Sequence, residues 1–211
     1  MQFEDPALLV DALSQRVLRH LPASAWRKLF LRPMHEVMQF TPAQGTYLCA
    51  AALTPAWSNG AIAQRDLEFL ARTHGGEIDP CPQASALVHF ADPQAALAMA
   101  IELQQGASDV RYQVGIATGE CTLATLLLEG TPLPVLVGGA VERAEAVARQ
   151  ATPGSIRLAP DTFAQVEAAL AGIAGCMVAT EYLGDEVTAT SLTLAPRANA
   201  FLSTFAGLGL T

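Results

Sequence analysis

The sequence predicts an α+β domain over residues 45–196: a mostly antiparallel central sheet with helices on it, preceded by a helical segment at residues 5–31. Three observations lead there. Val114, Ile116 and Thr118 alternate with Gln113, Gly115 and Ala117, the two-residue period of a strand. Gly138-Gly139 opens a helical run carrying Ala140, Val141, Ala144, Val147 and Ala148, and Thr152-Pro153-Gly154 closes it. A short strand follows at residues 155–158, so the centre of the chain is strand, long connection, helix, tight turn, strand. Alone, that order allows α/β or α+β. Over the whole chain it becomes β-α-β-β-α-β-α-β-α-β, which points to α+β.

Taken in order, Asp5-Pro6 sets an N-cap carboxylate before a first-turn proline. Leu9, Leu13, Val17, Leu18 and Leu21 then make an apolar stripe that Pro22 ends, and a second short helix at residues 25–31 stops at Pro33. Residues 1–44 are therefore an N-terminal helical extension, either packed on the domain or forming dimers. Residues 47–53, YLCAAAL, suit a central strand, and residues 64–73 a helix closed by Gly75. HGGEIDPCPQASALVHF follows as a strand pair, and Asp92-Pro93 starts a helix with Leu97, Ala100 and Ile101 inward and Gly106 at its end. Gly119 ends the central strand, and the connection after it is apolar, with Leu126, Leu127 and Leu128 in a row. Residues 160–170 form a helix with Phe163 and Val166 inward, and closing strands are expected at 177–178 and 191–194. Residues 197–211 are an apolar, glycine-broken tail. No internal repeat or low-complexity linker divides the chain.

Composition narrows the function classes. Hydrophobic residues make up 51% of 211, enough for a sizeable core. A net charge of −8 with a single lysine, Lys28, argues against a nucleic-acid surface, which needs clustered Lys and Arg. Cys49, Cys81, Cys121 and Cys176 form no C-x-x-C pair and suit reduced thiols in a cytoplasmic protein. No uncharged apolar run reaches the ~20 residues of a spanning helix, and Glu4 and Asp5 so close to Met1 are not expected in a signal peptide. His20, His35, His74 and His89 lack zinc-site spacing, and no phosphate-loop, nucleophile-elbow or dinucleotide motif is present.

VGIATGE, then GGAVERAEAVA, then ATPGSIRLAPDTF resembles the class III adenylate/guanylate cyclase catalytic domain, whose segments run R-x-G-I-H-T-G-E, G-D-x-V-N-x-A-A-R and P-G-x-I-x-x-S. The likeness extends over residues 18–196, taking in LRHLPASAWRKLF, the HGGEID segment and Glu181-Tyr182-Leu183-Gly184. It implies a ferredoxin-like, palm-like cyclase-homology domain over residues 45–196, with a cleft shared between two subunits. GGEID also resembles the diguanylate cyclase signature G-G-[DE]-E-F, which belongs to a related fold but sits at a hairpin tip and carries a Phe/Glu pair missing here.

The resemblance also says where cyclase chemistry would sit, and this chain departs from it at each position. The two metal-binding aspartates fall at Ala51 and Ala84, and the base-contacting lysine at Pro80. The purine-selecting position is Val135, and the ribose-orienting Asn and phosphate-stabilising Arg are Glu142 and Ala146. Two-metal phosphoryl chemistry needs oxygen ligands and positive charge, which alanine, valine and glutamate do not supply there. The resulting expectation is a pseudoenzyme without cofactor or metal. It would be a dimerising signalling module that binds an unknown protein partner or a metal-free ligand, a nucleotide among them. Asp79, Glu142, Leu126, Leu127 and Leu128 are the candidate ligand or interface residues. The alternatives are a divergent active cyclase, for which Asp79 and Glu142 would have to supply the metal site, and a sensor that holds a cyclic mono- or dinucleotide without turnover.

Overall fold

The computed structural model describes residues 38–53, 60–79, 85–106, 111–128, 131–183 and 186–195; the helices expected at 5–31 and the tail at 197–211 lie outside them. In chain order the elements are β1 (Met38–Leu53), α1 (Gly60–Thr73), β2 (Glu77–Ile78), β3 (Ala86–Phe90), α2 (Pro93–Gly106) and β4 (Arg111–Leu128). β5 (Thr131–Val137), α3 (Gly139–Gln150), β6 (Ser155–Leu158), α4 (Pro160–Leu170), β7 (Cys176–Leu183) and β8 (Glu186–Leu194) complete them.

The strands form one sheet in the order β2-β3-β1-β4-β6-β8-β7, with β5 added to β4. Every described pairing is antiparallel except β4 with β6. That exception is forced, because α3 carries the chain back over the sheet between those strands, and such a crossover returns parallel. The expected α+β class and mostly antiparallel sheet are therefore what the chain forms.

Strand alternation divides the buried side chains between two faces. Leu48, Ala50, Val88, Phe90, Val114, Ile116, Ile156, Leu158 and Leu192 meet Leu67 of α1, Leu97, Met99 and Leu103 of α2, and Val166 of α4. On the other face Tyr47, Cys49, Leu87, Ala117 and Cys121 meet Ala140, Val141, Ala144 and Ala148 of α3.

Around this strand several sequence expectations need correction. Gly119 does not end the central strand: β4 continues to Leu128, in unbroken register with β1 from Leu53↔Arg111 to Met38↔Leu126. Gly119 keeps φ +151 and lies opposite Gly45, so the partner strand carries the ladder through a residue that looks like a stop. The long connection is likewise a β-hairpin, β4 with β5, and β1 begins at Met38, ahead of residue 45. Pro132 and Pro134 are tolerated on β5 because it lies at an edge. Within this hairpin Leu126 is 1% exposed and Leu127 half-buried, so these two are not an open patch.

At the far side of the sheet Arg157 of β6, 8% exposed, donates to both carboxylate oxygens of Glu181 on β7 and to Ser191 Oγ at 3.4 Å. The Arg157 hydrogen bonds hold the Glu181 carboxyl below the usual carboxylate range. A carboxyl depressed on folding contributes stability above its unfolded value, and this is lost as pH falls through the folded one. Glu181 is over half exposed, so solvent screens the pair. Glu181→Gln should cost about 1 kcal/mol at neutral pH. The two proteins should converge as the medium is acidified through the carboxylate range, which urea melts at pH 7 and pH 3 would show. A difference that persisted at pH 3 would mean that packing, not the ion pair, holds β7.

Candidate functional site

Ala51 lies on β1 opposite Gln113 of β4, on the face that carries Tyr47 and Cys49 under α3. Gln113 is half-buried, and its amide nitrogen donates to the Ala151 carbonyl just past α3 at 2.6 Å. In the next row Cys49 lies between Leu87 and Gly115, and the Asp79 backbone N–H donates to the Leu87 carbonyl at 2.9 Å. Asp79, a buried residue, thus extends the row across the sheet. Glu77 shares that face but is exposed, and pairs with His89. The His89 ring lies 5.2 Å from that of Tyr47. Tyr47 is wholly buried, with its hydroxyl 2.7 Å from Cys121 Sγ. Burial, then the Cys121 contact, push the Tyr47 hydroxyl well above the ordinary phenol range, so Tyr47 is a packing group rather than a base.

Gly115 sets the height of the helix above this face. A Cβ at Gly115 would overlap the Ala144 carbonyl oxygen and the Ala148 amide nitrogen and stand 2.8 Å from the Ala148 Cα. Backbone therefore rests on backbone, which fixes where Glu142, Arg143 and Ala146 stand. Gly138, at φ +116, turns the chain into α3, and the Glu142 N–H bonds the Gly138 carbonyl at 3.0 Å. Glu142 is exposed in the first turn, where a carboxylate is favoured by the helix dipole and repels an approaching phosphate. Arg143 reaches back over Gly119 to the Thr118 carbonyl at 3.4 Å. Ala146 is half-buried. Beneath, Thr118 Oγ1 is 3.0 Å from Thr46 Oγ1 and 3.1 Å from Thr162 Oγ1, a hydroxyl cluster that ties β1, β4 and α4 together.

Neither a protein-family model nor a curated protein matches the sequence. Solved structures do. The adenylyl cyclase CyaB from P. aeruginosa is similar over 75% of this chain and 98% of its own, at 16% identity and a TM-score of 0.57. The guanylate cyclase domain of RhGC from Catenaria anguillulae, in complex with GTP, matches 74% of this chain and 100% of its own, at 13% identity and TM-score 0.57. The dimeric guanylyl cyclase domain of the RhoGC fusion protein from Blastocladiella emersonii gives 74% and 98%, at 13% identity and TM-score 0.58. The chain has the fold of a nucleotide cyclase catalytic domain.

Within that cyclase fold the positions named from sequence separate into groups. Ala51 and Asp79 stand on the sheet face under α3, at the level of Gln113 and Gly115. Glu142 opens α3 near Thr118, where Arg143 bonds, and is thus about 17 Å along β4 from Gln113 at ~3.3 Å per residue. Val135 does not join them. It is buried on the opposite face, paired with Ala124, while its neighbour Leu136 packs on the α3 side. Strand alternation through residues 131–137 carries that distinction, once those residues are known to be a strand. Leu126 shares the face of Val135, and Leu128 closes β4 opposite Thr131. Pro80 and Ala84 lie outside the described residues.

The divalent metals of cyclase chemistry do not fit the described residues. Ala51, where the resemblance implies a metal-binding carboxylate, carries a methyl group and no oxygen ligand. Among the described residues no three His, Cys, Asp or Glu side chains gather closely enough to hold an ion. Cys49 and Cys121 are buried and Cys176 is half-buried. No helix among the described residues is long and apolar enough to cross a membrane.

Proposed function

We propose that this chain is a non-catalytic cyclase-homology domain, a regulatory module that works as a homodimer and through a protein partner or a metal-free small ligand. The observation that carries the reading is Ala51: a methyl group stands on the central strand of a cyclase fold, facing α3, where the resemblance implies a metal-binding carboxylate. Glu142 and Ala146 on α3 support it, since Glu142 adds a negative charge at the helix start and Ala146 carries no charge at the position implied for the phosphate-stabilising arginine. The separation of Ala51 from Glu142 along β4 agrees with a cleft built from two copies.

Exposed apolar side chains on an edge strand support the binding role. Met177 and Tyr182 of edge strand β7 are 68% and 64% exposed, with Val178 between them. Solvent-facing apolar groups of this size on one strand suit a protein contact.

The test is direct. Incubated with ATP or GTP and Mg²⁺ or Mn²⁺, the full chain should give no cyclic nucleotide above a no-protein control, measured by mass spectrometry. Thermal shift with the same nucleotides and with cyclic nucleotides then separates a sensor from a protein-binding module, because a ligand raises apparent stability. Cyclic product at ordinary enzymatic rates, abolished by Asp79→Ala or Glu142→Ala, would replace this reading with a divergent cyclase.

A further inference from the structure

Ala124 and Leu126 of β4 and Val135 of β5 are at most 1% exposed, yet they belong to neither of the two cores of described side chains. Register sets them on one face of a three-stranded ribbon: Ala124 opposite Val135 and Phe40, Leu126 opposite Leu133 and Met38. The helices on this side of the sheet, α1, α2 and α4, pack at Val114 and Ile116, lower on β4. A sheet face stays dry only if something is laid across it. We propose that the N-terminal segment of the same chain, residues 1–37, covers this face, with the stripe Leu9, Leu13, Val17, Leu18 and Leu21 turned toward Leu126 and Val135.

Connectivity and length select that segment. Residue 37 runs directly into Met38, which pairs with Leu126, so the segment is tethered at the edge of the face it would cover. A helix over residues 5–21 would be about 25 Å long, and β4 from Thr122 to Leu128 spans about 20 Å. The C-terminal tail leaves from the wrong end. Thr193 pairs with Ser155 and Ile156 with Val114, so the chain exits β8 about 40 Å along β4 from Leu126. Residues 54–59 and 107–110 attach at that same far end, where Leu53 pairs with Arg111. A second copy is the remaining occupant, but the face is already dry within one chain.

Limited trypsin digestion of the full chain tests this, read at Arg19 and Arg27 in the segment. Wild type should be cut slowly there. Leu9→Gln/Leu13→Gln, which leaves the sheet untouched, should speed cleavage about tenfold or more by raising the open population, while circular dichroism still shows a cooperative melt. Leu126→Asp should do the same from the sheet side, and if it fails to fold, the segment variant decides alone. Equal cleavage rates in wild type and the segment variant overturn the proposal. So does wild-type protection that disappears on dilution, which would assign the face to a second copy.

Discussion

Gly115→Ala is expected to lower stability by about 3 kcal/mol, the upper part of the range for overpacking a well-filled core. One methyl group has this effect because of what it would meet. The atoms in its way are the Ala144 carbonyl oxygen and the Ala148 backbone, not the end of a side chain that can turn aside. The helix must lift bodily, and Ala140, Val141, Ala144 and Ala148 then lose contact with Tyr47, Cys49 and Ala117. Gly106→Ala is the control, since among the described residues nothing beyond its own helix lies within 4 Å of its added Cβ. It should be neutral or stabilise by up to about 1 kcal/mol through the unfolded chain. Urea denaturation followed by circular dichroism measures both, and a Gly115→Ala cost within 0.5 kcal/mol of the control, a margin of about the size of an ordinary surface substitution, would show that α3 does not rest on β4 as described.

The second large effect is a gain. Ala51→Asp with Ala84→Asp should create measurable Mn²⁺ binding by titration calorimetry but little turnover of ATP or GTP. Two carboxylates restore oxygen ligands, yet Glu142 still opposes the phosphates and Ala146 still lacks the charge that stabilises the reacting group. Adding Glu142→Asn and Ala146→Arg should therefore raise cyclic-nucleotide formation about a hundredfold or more over the double variant, the usual scale for one electrostatic contact in a reacting site. The gain comes only with all four changes, because groups that act as a unit do not contribute additively. If the double variant bound no Mn²⁺ while remaining folded, Ala51 and Ala84 would not be the vacated metal positions, and the non-catalytic reading would lose its main support.

Both expectations depend on how much of the site local sequence could carry. The alternation of Val114, Ile116 and Thr118, the Gly138-Gly139 helix start and the Thr152-Pro153-Gly154 stop are local signals, and β4, α3 and β6 form where they predict. Side-chain period and backbone preference act within a few residues, so the class and most element centres were legible, while β5 was not. The positions of Ala51 and Glu142 on β1 and α3 followed from motif spacing for the same reason.

Only the tertiary structure decided the rest. Gly119 looks like a strand end until Gly45 of β1 is set opposite it, and the residues after it look like an open apolar connection until β5 pairs back. That hairpin sends Val135 to the face away from Ala51 and buries Leu126, which as a loop residue would have been an exposed anchor. Arg157 and Glu181 are far apart in sequence and meet because β8 lies between their strands. Gly115 shows the difference most sharply: within its strand it is one more residue of an alternating run, and only the helix laid across it makes a missing Cβ necessary. Local pattern determines which backbone conformation a segment adopts. Register and burial are set by which other segment comes to lie against it, and no stretch of sequence contains that information alone.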